Sequence, residues 1–472
     1  MQPPLRLVFA TFATFLAFAV AAIALDDQKP SVVDQHTMKP SSLADAPSVH
    51  LHVTLKRQAL EIHGYSEFDV FATPVVSTDN TSVFYDGYAV FVEGAVQFKY
   101  LFVDGVAYLV ETNNSDPVNQ TVQCFPSNIP FASAVSALNE ATPIPSASVG
   151  DKVVECTSGN LFKTSFDGAD FALCVSDASG FVAFGSEMNF KVEYLDGHVD
   201  ISAPRLNEVL CPIVKTSTFV TPTALALITG GDIQVSSSRN LKTAEHMWMD
   251  APTCSCKSKP RPCIFFHGLG NENEEKELQD LSRHWGDMSK RTPCWKCSFG
   301  DSTSWVSLSA PMTGSMASDY LQDFCNDEIS SFATGIFELT GQCPMDPSRK
   351  STSYQNEKYS SKDLNAAYIA AQEAYRGNIT TTLCSNSYVG VFSKYQAMSI
   401  IAGKSVPHKS PENDCLVEFQ SCAVGLDTSL FGNSYTDKFY MPELNHADTS
   451  FRTRDALFKA SQKPAKWFEC LL

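Results

Sequence analysis

The chain has 472 residues, with 35 Lys and Arg against 52 Asp and Glu, a formal charge of −17 and no basic stripe. That balance excludes nucleic acid and an anionic membrane surface as partners, because holding phosphates requires clustered Lys and Arg. Fifteen cysteines and four Asn-x-Ser/Thr sequons, at Asn80, Asn113, Asn119 and Asn378, instead point to an oxidising, glycosylating compartment.

At the N-terminus, Arg6 precedes an apolar run from Leu7 to Leu25 that includes Ala22-Ile23-Ala24, small residues at the positions a signal peptidase reads. Residues 1–24 therefore read as a signal peptide and the protein as secreted, with no integral membrane segment after cleavage. The run is also about long enough to cross a bilayer, which leaves an uncleaved signal anchor as the alternative. In the oxidising compartment most cysteines are expected to form disulfides, and their odd number implies a free thiol, an intermolecular bond or a partner missing from the chain.

Residues 25–47 are polar and Pro/Ser-containing, the composition of a flexible leader. Over residues 48–206, short runs rich in Val, Phe, Tyr and Thr alternate with Asp-Gly and Asn/Ser-rich breaks, predicting an antiparallel β domain interrupted by a helix from Phe131 to Leu138. Residues 207–260 read as a linker. From 261 to 472, helical periodicities alternate with short apolar runs, the pattern of an α/β domain with a mostly parallel sheet.

Four constellations in that second half could carry chemistry. Cys263-Ile-Phe-Phe runs into the glycine-rich turn His267-Gly268-Leu269-Gly270, where backbone N–H groups could approach a ligand closely. Ser304 to Ala310 reads as a strand followed by the turn Pro311-Met-Thr-Gly314-Ser315 and a helix to about Leu339. Ile400-Ile-Ala-Gly reads as a strand leading to the acidic turn Pro411-Glu-Asn-Asp414, and Lys438 to Met441 as a strand that places His446 at the start of a capped helix.

In this order the motifs resemble a secreted α/β-hydrolase of the lipase/esterase kind. The resemblance implies an oxyanion site at His267, Gly268, Leu269 and Gly270, and a catalytic acid and base at Asp414 and His446. Over roughly residues 260 to 472 it implies an α/β-hydrolase-like domain with a truncated, mostly parallel sheet, which with the alternating runs before it makes the expected fold an N-terminal antiparallel β domain followed by that α/β domain. The nucleophile is absent, because no serine has the Gly-x-Ser-x-Gly surroundings of that family. Length agrees: residues 271–303 must hold structure that needs roughly 60 residues or more. The missing stretch is expected near Thr292 to Phe299, and the shortened sheet is expected to secrete poorly or aggregate.

Ser387 and Cys384 are the substitute nucleophiles the sequence offers, while Ser309 and Ser315 read as turn and cap residues. Cys254-x-Cys256 and Cys294-x-x-Cys297 admit a zinc reading, with bridging the ordinary fate in a secreted chain. No metal site is assigned, and no cofactor fingerprint is present. The N-terminal half resembles, on its aromatic strands and Asp-Gly turns, the curved half-open sheets of ependymin-like and lipoprotein-carrier domains. An apolar concavity there would favour ligand binding, and a packed core would remove the idea.

Two functions follow as expectations. One is a carboxylic ester hydrolase, acting on lipid or other ester-like small molecules, that is inactive for want of its serine. The other is a non-catalytic secreted binding protein for an apolar ligand or a protein partner.

Overall fold

The computed structural model describes residues 42–124, 133–158, 160–176, 179–204, 211, 213, 217–231, 233, 245–254, 304–326 and 343–471. Two compact units divide the chain, Met1–Pro40 and Ser41–Leu472, and the described residues all belong to the second. The signal peptide, residues 25–41 of the leader, the turn His267 to Gly270 and the Cys294 to Cys297 loop lie outside the described residues, while Leu43–Asp45 of the leader forms a short 3-10 helix with Leu43 buried.

Thirteen strands occupy the segment from residue 49 to residue 194. They are β1 (Val49–Leu55), β2 (Glu67–Val76), β3 (Ser82–Glu93), β4 (Val96–Val103), β5 (Val106–Asn113), β6 (Asp116–Cys124), β7 (Thr142–Pro143), β8 (Ala147–Val149), β9 (Lys152–Val153), β10 (Leu161–Phe166), β11 (Ala169–Ser176), β12 (Gly180–Gly185) and β13 (Met188–Tyr194). Eleven of them join in the order β6-β5-β4-β3-β2-β1-β13-β12-β11-β10-β7, and β14 (Thr218–Phe219) pairs with β3 to complete a 12-stranded sheet. Its ladders are antiparallel because most neighbours along the sheet are chain neighbours joined by short turns. At Asp104-Gly105 and Asp167-Gly168 both residues have positive φ (52° and 75°, 49° and 85°). That is the conformation of the two-residue turn whose twist suits a hairpin, and the reason Asp-Gly occupies it.

This sheet overturns the expected fold class. An antiparallel sheet dominates the molecule, and the parallel sheet attributed to an α/β-hydrolase reduces to β16 (Trp305–Leu308), β17 (Ile379–Leu383), β18 (Phe431–Gly432) and β19 (Phe439–Tyr440), in the order β16-β17-β19-β18. Ile400-Ile-Ala-Gly, expected as a strand, lies inside the helix Gln396–Ser405. A short apolar run has no periodicity to separate a strand from a buried helical turn, and here the helix was the answer. The helix expected from Ser315 is described as Met316–Cys325, with Ser315 as its N-cap.

Within the stretch read as linker, Pro222–Thr229 forms a helix and β15 (Met247–Met249) pairs in parallel with β8. The helix carries its own start and stop signals: Thr221 caps Ala224 N–H, Pro222 occupies the first turn, and Gly230 follows with φ 68°. Its Ala224, Leu227 and Ile228 are buried, and Leu227 joins a core with Val53, Val70, Phe171 and Leu173 of the large sheet. Replacing Thr221 with Ala should lower stability by about 1 kcal/mol, read as a shift in the urea midpoint.

Phe458, from the C-terminal segment, packs edge-on to Phe166 with centroids 4.7 Å apart and joins the same core. Five disulfides are described: Cys124–Cys211, Cys156–Cys174, Cys254–Cys470, Cys325–Cys343 and Cys384–Cys422. No helix among the described residues is long and apolar enough to cross a membrane.

Candidate functional site

Side chains alternate across a strand, so every second residue of each strand lines one face of the large sheet. On that face lie Leu51 and Val53 of β1, Phe68 and Val70 of β2, Ala89 and Phe91 of β3, Tyr100 and Phe102 of β4, Phe171 and Leu173 of β11, Phe181 and Ala183 of β12, and Phe190 and Val192 of β13. All of them line one cavity of about 570 Å³. Strands β4 and β11 are six steps apart in the sheet, about 29 Å if it were flat. Their sharing one cavity means that the sheet curls around it, as accumulated strand twist favours.

Two segments from the other half of the chain close the cavity. Ser387 and Val389 to Phe392 form one wall, and Arg454 with Ala456 to Lys459 and Gln462 form another. Gly390 has φ 67°, and a Cβ there would collide with the Asp448 carboxylate, so the wall needs glycine at this position. The Gln396 and Gln462 side-chain amides both donate to the Gly390 carbonyl at 3.3 Å, which pins the wall in place. Phe392 meets Tyr100 edge-on at 5.3 Å between centroids. Exposed Asp167, in the β10–β11 turn, and exposed Glu443 are the carboxylates at the rim.

Asp414, in the segment after the helix Gln396–Ser405, and His446, in the segment after β19, are brought together. Asn413 receives the Cys415 N–H on its side-chain oxygen, and Asp414 Oδ1 receives the N–H groups of Leu416 (3.0 Å) and Val417 (2.7 Å). Such local side-chain-to-backbone bonds are what Asn-Asp sequences form in turns. They leave Asp414 Oδ2 to pair with His446 Nδ1 at 2.8 Å, while the His446 N–H donates to the Asp414 carbonyl. Asp414 is 1% exposed and the His446 side chain 31%, so the pair has a buried acid and a reachable ring.

Burial opposes charge on His446, but the Asp414 carboxylate beside it outweighs burial and raises its pKa above the ordinary histidine value. Asn445 caps the short helix His446–Thr449 through a capping box with Asp448, which fixes the ring's origin. Burial pushes Asp448 itself up to about 7, against hydrogen bonds from Thr453, Val391 and Asn445.

His446 Nε2 makes no hydrogen bond among the described residues. Ser387 is the one serine the sequence offers as a substitute, with Ser309 and Ser315 read as turn and cap residues. Ser387 lines the cavity and accepts the Val389 N–H at 3.3 Å. Ser385 donates to the Pro442 and Leu444 carbonyls, and Ser315 caps its helix and donates to the Leu416 carbonyl. Ser309 closes β16 with φ 44°, and its buried hydroxyl has no partner. Cys384 is bonded to Cys422 and cannot attack a carbonyl.

Among the described residues one cysteine is unpaired, Cys415, its thiol pushed up to about 12 by burial and by the adjacent Asp414 charge. No cluster of His, Cys, Asp or Glu among the described residues could hold a metal ion. Asn80, Asn113 and Asn378 are exposed, and Asn119 lies in β6.

Comparison with protein-family models, with curated proteins and with solved structures finds no match in any of the three. The site is therefore read from its own chemistry. Sequence reasoning missed the cavity's far wall, residues 387–392 and 454–462. Its local signals are the short apolar runs Val389-Gly390-Val391-Phe392 and Ala456-Leu457-Phe458.

Proposed function

We propose that the protein is a secreted, non-catalytic binding protein that holds an apolar small molecule within its curled antiparallel sheet. One observation carries the reading: the inward face of seven strands is apolar at every second position and encloses space instead of closing on itself. Its volume falls within the roughly 300–1,000 Å³ range of small-molecule sites, which are characteristically apolar with a few convergent polar groups. The five disulfides and the N-terminal apolar run support an extracellular setting. Diphenylhexatriene, a neutral apolar fluorophore, should show a saturable rise in emission at one probe per chain and be displaced by oleyl alcohol. Emission that never saturates would remove the reading.

The Asp414–His446 bond favours a second reading, ester hydrolysis, because a buried carboxylate orienting a reachable histidine is how a serine would be activated. Loss of the nucleophile from such a set lowers turnover on the order of a millionfold. Treatment with a fluorophosphonate should accordingly label none of Ser309, Ser315, Ser385 and Ser387, and nitrophenyl butyrate should be hydrolysed no faster than by His446→Ala. A labelled serine identified by peptide mass spectrometry would transfer the assignment to the hydrolase.

A further inference from the structure

The cavity wall carries a cation whose partners do not account for it. Arg454 is part-buried and lines the cavity, yet its one hydrogen bond among the described residues is from Nη1 to the Asp455 carbonyl at 3.3 Å. No carboxylate among the described residues forms an ion pair with it. Its acidic neighbours are spent elsewhere. Asp455 accepts from Arg57 at 2.6 Å and from the N–H groups of Ala465 and Lys466. Asp448 accepts from Val391 N–H, Asn445 N–H and the Thr453 hydroxyl.

The nearby Tyr100 hydroxyl is engaged with His63 Nε2 at 2.5 Å. Lys459, the other cation of the wall, lies 3.9 Å from Glu443. A guanidinium has several N–H donors in a planar fork that remains charged in a low-dielectric setting, and one left largely unused on the wall of an apolar cavity is available to an anionic group of the ligand.

We propose that the cavity's ligand is a long-chain carboxylate, its acyl chain against the apolar face of the sheet and its carboxylate on the Arg454 guanidinium. The inference rests on the cavity reading above and adds the head group to it. A planar carboxylate matches the guanidinium fork in two parallel hydrogen bonds. A phosphomonoester, carrying about two negative charges near neutrality, would exceed the single available cation. The rim carboxylates Asp167 and Glu443 would repel that surplus further.

The test is displacement of diphenylhexatriene from the full chain by oleate, by methyl oleate and by lysophosphatidic acid. Oleate should compete at least tenfold better than either of the others. In Arg454→Met the preference for oleate over methyl oleate should fall to within about twofold, and Arg454→Lys, which keeps the charge but not the fork, should retain only part of it. Equal competition by oleate and methyl oleate in the wild-type protein overturns the head-group assignment while leaving the apolar cavity standing, and this comparison does not depend on any variant folding. Preference for lysophosphatidic acid overturns it in favour of a phosphate. An undiminished oleate preference in Arg454→Met moves the anion site off Arg454. Absence of saturable probe binding removes the cavity reading and this inference together.

Discussion

Glu187→Gln is expected to destabilise the protein by about 3–5 kcal/mol, the usual cost of breaking a buried ion pair by removing one partner. Glu187 sits just before β13, and its two oxygens are shared by Arg57 Nε at 2.7 Å, Lys466 Nζ at 3.0 Å and Lys463 Nζ. Arg57 also reaches Asp455 at 2.6 Å and Glu469 at 3.6 Å. Three cations therefore face three carboxylates, and no side chain in the group is more than 10% exposed.

Arg57 and Glu187 belong to the large sheet's turns, whereas Asp455, Lys463, Lys466 and Glu469 belong to the C-terminal segment that walls the cavity and its closing helix Pro464–Leu471. Neutralising Glu187 leaves cations buried without their balance, at the junction of the two.

The same group sets an acid limit. Burial works to raise the Glu187 pKa, but Arg57, Lys463 and Lys466 together hold it down at about 2, well below the ordinary glutamate value of 4.5. A carboxylate whose pKa is depressed by folding stabilises fully above its unfolded value and loses that contribution as pH falls through the folded one. The gap between wild type and Glu187→Gln should therefore be widest near neutrality and close between about pH 4.5 and pH 2. Urea midpoints across that range measure it. A gap independent of pH would mean that shape, and not charge, is what Glu187 contributes.

Ala89→Trp should weaken diphenylhexatriene binding by at least tenfold while the protein keeps its fold. Ala89 is a part-buried residue of β3 on the cavity-facing side, flanked in register by Val70 and Tyr100. An indole projecting from this position occupies ligand space in a cavity of about 570 Å³ without displacing a fully buried core residue. Overpacking of a closed core would instead cost about 1–3 kcal/mol in stability. The two possibilities separate in a paired measurement of probe affinity and urea midpoint. Lost binding at unchanged stability marks open space, whereas unchanged binding would place the probe elsewhere.

How much was readable in advance followed the range of the interactions. The pairing of Asp414 with His446 spans 32 residues, but each end has a local signature, an Asn-Asp turn and a capped helix start after a strand. The expected oxyanion turn, His267 to Gly270, lies outside the described residues and adds nothing to that pair's geometry. The parallel α/β-hydrolase sheet was misjudged because four weak motifs in the right order constrain chain order and not pairing. Four-residue Ile400-Ile-Ala-Gly is too short for its apolar pattern to separate strand from helix.

What the sequence by itself determined is the strands between residues 49 and 194 and their hairpins, because alternation and Asp-Gly turns act over a few residues and are written in them. Tertiary structure alone decided that the sheet curls, that residues 387–392 and 454–462 close over it, and that Arg57 and Glu187 meet partners some 280 to 400 positions away. Those outcomes depend on which apolar faces and buried charges find each other across the whole chain. No local pattern encodes such a choice, since its free energy arises only once distant segments are brought together and desolvated.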